Sequence, residues 1–203
     1  MPRSNKDRSS ETQNKILLSA VDCLCEVGYT GTTINMVAKH AEISKGAMLH
    51  HFATKSDLMI SVARFCVEAN SKLRHKYVAE TPKGAGPMTR LVKSSKKIIG
   101  HPSYVALIEI MMATRNDPEI KAQFSEVAEL MEKQQDASVV YITEITGLKS
   151  SPQIRALMNL HVNFLVGILI QKMAGKNKES LDQQFELIEL YENLAIEHFK
   201  KQK

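Results

Sequence analysis

At 203 residues the chain can bury a substantial core, and with 43% hydrophobic and 24% charged side chains it has the composition of an ordinary folded domain, which excludes a disordered or fibrous chain. Its net charge of +5 is uneven: residues 1–79 carry 11 Lys and Arg against 7 Asp and Glu, the remainder 16 against 15. A basic N-terminal segment on a near-neutral remainder points to a polyanionic partner for that segment.

Helical periodicity runs in long windows between Gly and Pro breaks, and strand-like alternation is almost absent, which makes the fold class all-α. Ser10 to Gln13 has the spacing of a capping box, and behind it Ile16, Leu17, Ala20, Val21, Leu24 and Val27 recur at helical intervals until Gly28. A short second helix starts at Thr32 or Thr33 and turns Ile34, Val37 and Ala38 inward, and a third spans 44–50. Thr54-Lys55-Ser56-Asp57 then opens a long helix over 55–78 with Leu58, Val62, Phe65, Ala69 and Leu73 on one stripe. At about 1.5 Å per residue it extends on the order of 36 Å, too far to serve the small head alone, so it joins head to body. Residues 80–87 form a Pro- and Gly-rich linker, and further helices are expected at 88–99, 103–116, 119–146, 152–174 and 179–201. The expected division is a head over 1–54 and a body over 55–203.

The informative segment is Gly31 to Phe52, two short helices joined by a turn at Ala41-Glu42-Ile43, with Val37, Ala38, Ile43, Met48 and Phe52 placed to share a small core. In a helix-turn-helix the second helix enters the major groove and its N-terminal residues meet the bases. Here those residues are Ser44, Lys45, Gly46 and Ala47. Two are small enough for close approach, Lys45 suits phosphate or guanine, and His50, His51 and Lys55 follow where backbone contacts set register.

Gly28-Tyr29, Thr32-Thr33, Val37-Ala38, Ala41, Ile43-Ser44-Lys45-Gly46, His50-His51-Phe52, Lys55 and Leu58, at this spacing, resemble the head of the TetR (tetracycline-repressor-like) family of transcription regulators over about residues 12–60. The resemblance implies a three-helix helix-turn-helix head joined by a long fourth helix to a helical ligand-binding and dimerisation body. It implies a homodimeric repressor that binds a near-palindromic operator in double-stranded DNA and is released by a small-molecule effector. Carried onto this chain, Thr32 or Thr33 lies near a phosphate, Ser44, Lys45, Ala47 and His50 read the groove, and Lys55 contacts the backbone. Two positions depart from the family: Glu42 stands where Gly is frequent in the turn, and Leu49 where Tyr is frequent. If the turn needs positive φ, Glu42 costs about 1 kcal/mol.

In the body, Leu107, Met111, Phe124, Met131 and Phe164 are the expected effector-binding residues, and the methionines suit either an adaptable pocket or a plain helical core. The helices at 152–174 and 179–201 are apolar around most of their circumference and so need burial on more than one side. A two-fold four-helix bundle with a second copy answers that need, with Leu157, Leu165, Leu169, Leu187 and Leu194 at the interface.

No catalytic constellation, metal site or cofactor is expected. His50 and His51, adjacent on a helix, point roughly 100° apart with no further ligand in register. His40, His75, His101, His161 and His198 are scattered singly and read as surface or helix-end residues. Cys23, Cys25 and Cys66 form no Cys-x-x-Cys pair, so neither disulfide nor thiolate zinc site is expected. The polar, charged start and the lack of an apolar run of membrane-spanning length point to the cytoplasm.

Overall fold

Proline stands at the start of four helices, where its missing N–H and fixed φ cost nothing: Pro87, Pro102, Pro118 and Pro152 open α5 (Pro87–Ile98), α6 (Pro102–Ala113), α7 (Pro118–Gln123) and α9 (Pro152–Met173). The remaining helices are α1 (Asn5–Gly31), α2 (Ile34–His40), α3 (Lys45–His51), α4 (Lys55–Glu80), α8 (Ser125–Thr146) and α10 (Lys178–Lys201). This computed structural model describes residues 5–82 and 84–202, with side chains from Asp7 onward, and all their regular structure is helical. Arg3, the side chain of Lys6, and Lys83 of the linker lie outside the described residues.

The chain packs as two units, the first comprising the residues through Ala69 together with Pro102–Leu130, the second Asn70–His101 and the residues from Met131 on. These are divisions by packing, whereas the division at 54/55 read from the sequence is one by role.

In the first unit α1 packs on α2 and α6, with Ile16, Ala20, Cys23 and Leu24 buried. Ser10 does not cap this helix. The helix begins earlier, and the Ser10 hydroxyl donates to the carbonyl of Asp7 at 2.9 Å, the back-bond available to a serine inside a helix. Gly28 breaks α1 with φ +67°, and a methyl group there would lie 3.1 Å from Glu109 Oε2. At the start of α4 the Thr54 N–H donates to Asp57 Oδ2 at 3.1 Å and the Asp57 N–H to Thr54 Oγ1 at 3.0 Å, a reciprocal capping box.

The helix expected over 119–146 is two helices. They are separated by a single turn residue, Phe124, whose backbone stays in the right-handed region.

In the second unit Met88, Leu91, Val139, Ile142, Leu148, Ile154, Leu157, Met158 and Ile196 form one core drawn from α5, α8, α9 and α10. Among the described residues α9 alone is long and apolar enough to cross a bilayer by length and composition, which the reading of apolar runs did not anticipate. Asn159, His161 and Asn163 interrupt the run, and seven residues of α9 are buried in this unit.

Candidate nucleic-acid interface

The helix-turn-helix is seated on one side and bare on the other. Val37, Ala38, Ala41, Met48 and Phe52 are buried, while Ile43, expected with them, is half-buried. Thr33 caps α2 by accepting from the Met36 N–H at 3.1 Å, and Ser44 caps α3 by accepting from the Ala47 N–H at 3.1 Å. Anchoring through Met48 leaves Lys45, Gly46, Leu49 and His50 exposed on α3, with Ala47 and His51 half-exposed beside them. Thr33, Asn35, Lys39 and His40 are exposed on α2. Asn35 was not picked out by pattern, and Leu49 only as a departure from the family. Leu49 lies four residues after Lys45, and that spacing alone marks it as sharing a face.

The structure separates the two threonines. Thr32 is fully buried, its hydroxyl donating to the Gly28 carbonyl at 2.8 Å, so it closes the turn after α1 and presents nothing outward. Thr33 is the exposed one. Glu42 has φ +51°, the one non-glycine residue with positive φ among the described residues, and its carboxylate pairs with Lys15 of α1 at 2.9 Å. That pair holds its carboxyl below the usual range.

Lys55 is committed inward. Its ammonium donates to the Tyr29 carbonyl at 2.7 Å and lies 4.2 Å from the centroid of the Tyr29 ring. Burial pushes its pKa below the ordinary lysine value, against the opposing charge of Asp117. Tyr29 is itself a junction: its N–H donates to Glu109 Oε2 at 3.1 Å and its hydroxyl donates to Asp117 Oδ2. Asp117 in turn caps α7, accepting from the N–H groups of Glu119 at 3.0 Å and Ile120 at 3.2 Å. The helix-turn-helix base is thereby tied to α6 and α7 within the first unit.

The expected effector residues divide between the two units. Leu107, Met111 and Phe124 belong to the first unit, where Leu107 is buried. Met131 and Phe164 belong to the second, where the Phe164 ring meets Phe185 edge-to-face at 5.3 Å. None of the five lines the cavity of about 210 Å³ that the second unit holds between the later part of α4, α5 and α8. The expected interface residues also divide. Leu157, Leu165 and Leu169 are buried in their own chain and offer no surface to another, because α9 turns them into the second unit's core. Leu187 and Leu194 are exposed, with Leu160, Ile170, Met173, Leu190 and Tyr191.

His161 is neither a surface nor a helix-end residue. Its Nε2 lies 2.8 Å from Ser95 Oγ and its Nδ1 2.8 Å from Glu192 Oε1, with the three residues 3%, 2% and 1% exposed respectively. The order hydroxyl, imidazole, carboxylate is that of a nucleophile, its base and the base's orienting group. Burial of all three closes the group off from a substrate. Among the described residues no group of three or more His, Cys, Asp or Glu side chains is arranged to hold a metal ion.

A helix-turn-helix seated by Met48 and Phe52 on a wholly helical scaffold defines a regulator of the helix-turn-helix type. Residues 16–62, the helix-turn-helix segment, match the model of the bacterial regulatory proteins, tetR family. An HTH-type transcriptional regulator of Mycobacterium tuberculosis is 28% identical over 127 residues, which cover 63% of this chain and 65% of that protein, just under two thirds of its length. The HTH-type transcriptional repressor AcnR of Corynebacterium efficiens is 24% identical over 188 residues, 90% of this chain and 93% of AcnR. Among solved structures, the multidrug binding protein EbrR, complexed with imidazole, shares the fold at a TM-score of 0.61 and 18% identity, over 87% of this chain and 92% of EbrR. The family and these relatives are transcription regulators and not enzymes.

Proposed function

We propose that this chain is a ligand-responsive transcription repressor of the cytoplasm that binds a near-palindromic operator as a homodimer and is released by a small-molecule effector. In this division of roles, residues 1–54 read DNA, and residues 55–203 sense the effector and dimerise. One observation carries the reading: the exposed N-terminal half of α3, with Lys45 and Gly46 outward and Met48 anchored beneath, is basic and unobstructed. Lys45 meets guanine or phosphate, Gly46 and Ala47 allow close approach, Leu49 offers an apolar contact to a thymine methyl, and His50 and His51 lie toward the backbone. Thr33 and Ser44 flank a phosphate beside helix N-termini. Thr32 and Lys55 position this surface from within.

Dimerisation is assigned to the exposed stripe Leu187, Leu190, Tyr191 and Leu194 of α10, spaced to share one face, together with Leu160, Ile170 and Met173 of α9. Exposed apolar side chains in such number on two long helices mark an interface, and a two-fold arrangement of two helices from each copy covers them. The name of AcnR as a repressor and the imidazole complex of EbrR support repression and effector binding by the same architecture.

Selection of bound sequences from random duplex DNA tests the reading. The expected result is an inverted pair of half-sites with centres about 10 base pairs apart, or a multiple of that. Failure to enrich any sequence overturns it.

A further inference from the structure

We infer that the effector is a small organic acid whose carboxylate is held by Arg74 and Arg90 in the cavity of the second unit. The inference rests on the reading of the chain as an effector-responsive regulator and names the chemistry of the molecule it senses.

Both guanidiniums line the cavity, and no carboxylate does. Arg74 Nη1 donates to Ser138 Oγ at 3.0 Å and Arg90 Nη2 to the Val78 carbonyl at 2.9 Å, which orients the two planar groups. Arg90 Nε and the Tyr141 hydroxyl are buried without a hydrogen-bond partner among the described residues. Buried donors left unmatched are costly. One carboxylate answers both needs, because its two oxygens accept a guanidinium fork and retain capacity for a phenol.

Beside Ser71, His75, Gln134 and Ser138 the wall has an apolar part. Val78, Leu91 and Ala137 line the cavity and would stay wet around an inorganic phosphate or sulfate, whereas the alkyl or aryl body of an organic acid covers them. The volume of about 210 Å³ falls below the roughly 300–1,000 Å³ of drug-sized sites, which limits the occupant to a small molecule.

The test uses the full chain with benzoate and hexanoate as probes, their neutral counterparts benzamide and hexanamide, and inorganic phosphate. Thermal unfolding and titration calorimetry are the readouts. At least one acid should raise the unfolding temperature, the amides and phosphate should not, and Arg90→Gln should weaken the acid by about tenfold or more. Should Arg90→Gln fail to fold, Tyr141→Phe removes one hydroxyl from the same site and should weaken the acid severalfold. The inference is overturned by equal binding of acids and amides, by no binding of either acid, or by wild-type affinity in a folded Arg90→Gln or in Tyr141→Phe protein. These assays contain no DNA. Operator selection without acid binding therefore removes this inference and leaves the repressor reading, and acid binding without operator selection does the reverse.

Discussion

Lys55 and Tyr29 are joined twice, by the ammonium donating to the Tyr29 carbonyl at 2.7 Å and by its seat 4.2 Å from the ring centroid. A lysine held this way is expected to position the helix-turn-helix more than it meets phosphate. Lys55→Met is expected to cost about 1–2 kcal/mol of stability in urea unfolding, through one charged hydrogen bond and one cation–π contact. The two lysines should then differ in the salt dependence of operator binding. Lys45→Ala lowers the slope of log K against log salt by about 0.9, the value of one phosphate contact, and Lys55→Met by clearly less. Equal drops would show Lys55 to be a phosphate ligand in its own right.

The left-handed backbone of Glu42 makes the turn of the helix-turn-helix a site of stored strain. Glu42→Gly relieves about 1 kcal/mol and gives up an exposed pair with Lys15 that contributes at most a few tenths, so the variant should melt higher than the parent. Glu42→Ala loses the pair and keeps the strain, and should melt slightly lower. Calorimetry of the three proteins decides, and a Gly variant no more stable than the Ala variant would refute the account.

The Tyr29–Asp117 bond has a pH window. The Asp117 carboxyl is held below its usual range first by the Tyr29 hydroxyl and then by the Ile120 N–H, so its contribution is complete above the unfolded value of about 3.9 and is lost as pH falls through the lowered folded value. Burial, and then the bond to Asp117, pushes the Tyr29 phenol up, so its contribution is complete below about 10 and declines above it. Tyr29→Phe should therefore be destabilised by a constant amount between these limits, on the order of 1 kcal/mol. The deficit should shrink toward pH 2; one that persists there would remove Asp117 as the partner.

Glu192 is buried with one oxygen on His161 and the other, Oε2, without a partner among the described residues. Glu192→Ala strands the imidazole and is expected to cost about 2–4 kcal/mol, from a buried group left unsatisfied plus a cavity. Glu192→Gln, which can still accept from His161, should cost much less. Hydrolysis of activated esters should not change in either variant or in Ser95→Ala, because the three residues have no opening to a substrate. A Ser95-dependent esterase activity would contradict the assignment as structural.

Leu165 and Leu194 are 4% and 57% exposed. Leu194→Glu should leave a folded chain that sediments as a monomer at micromolar concentration and has lost operator binding, whereas Leu165→Glu buries an unpaired charge and should not fold stably. A folded Leu194→Glu protein that still sediments as a dimer would place the interface elsewhere.

Most of the helical elements were legible before any coordinates, because their signals are local. Apolar residues three and four positions apart, Pro87, Pro118 and Pro152 in the first turns of helices, and caps at Thr33, Ser44 and Asp117 all act within one turn of chain. The turn at Glu42 was legible for the same reason. Tertiary structure decided everything that depends on which neighbour covers a face. Periodicity shows that α9 and α10 each carry apolar residues on several sides, and it cannot say that Leu165 faces the chain's own core and Leu194 does not. Nor can spacing reveal that Ser95, His161 and Glu192 converge from three helices, or that Arg74 and Arg90 line one cavity. Polar partners are chosen by proximity in space, and each of these side chains taken singly is indistinguishable in sequence from one that faces water.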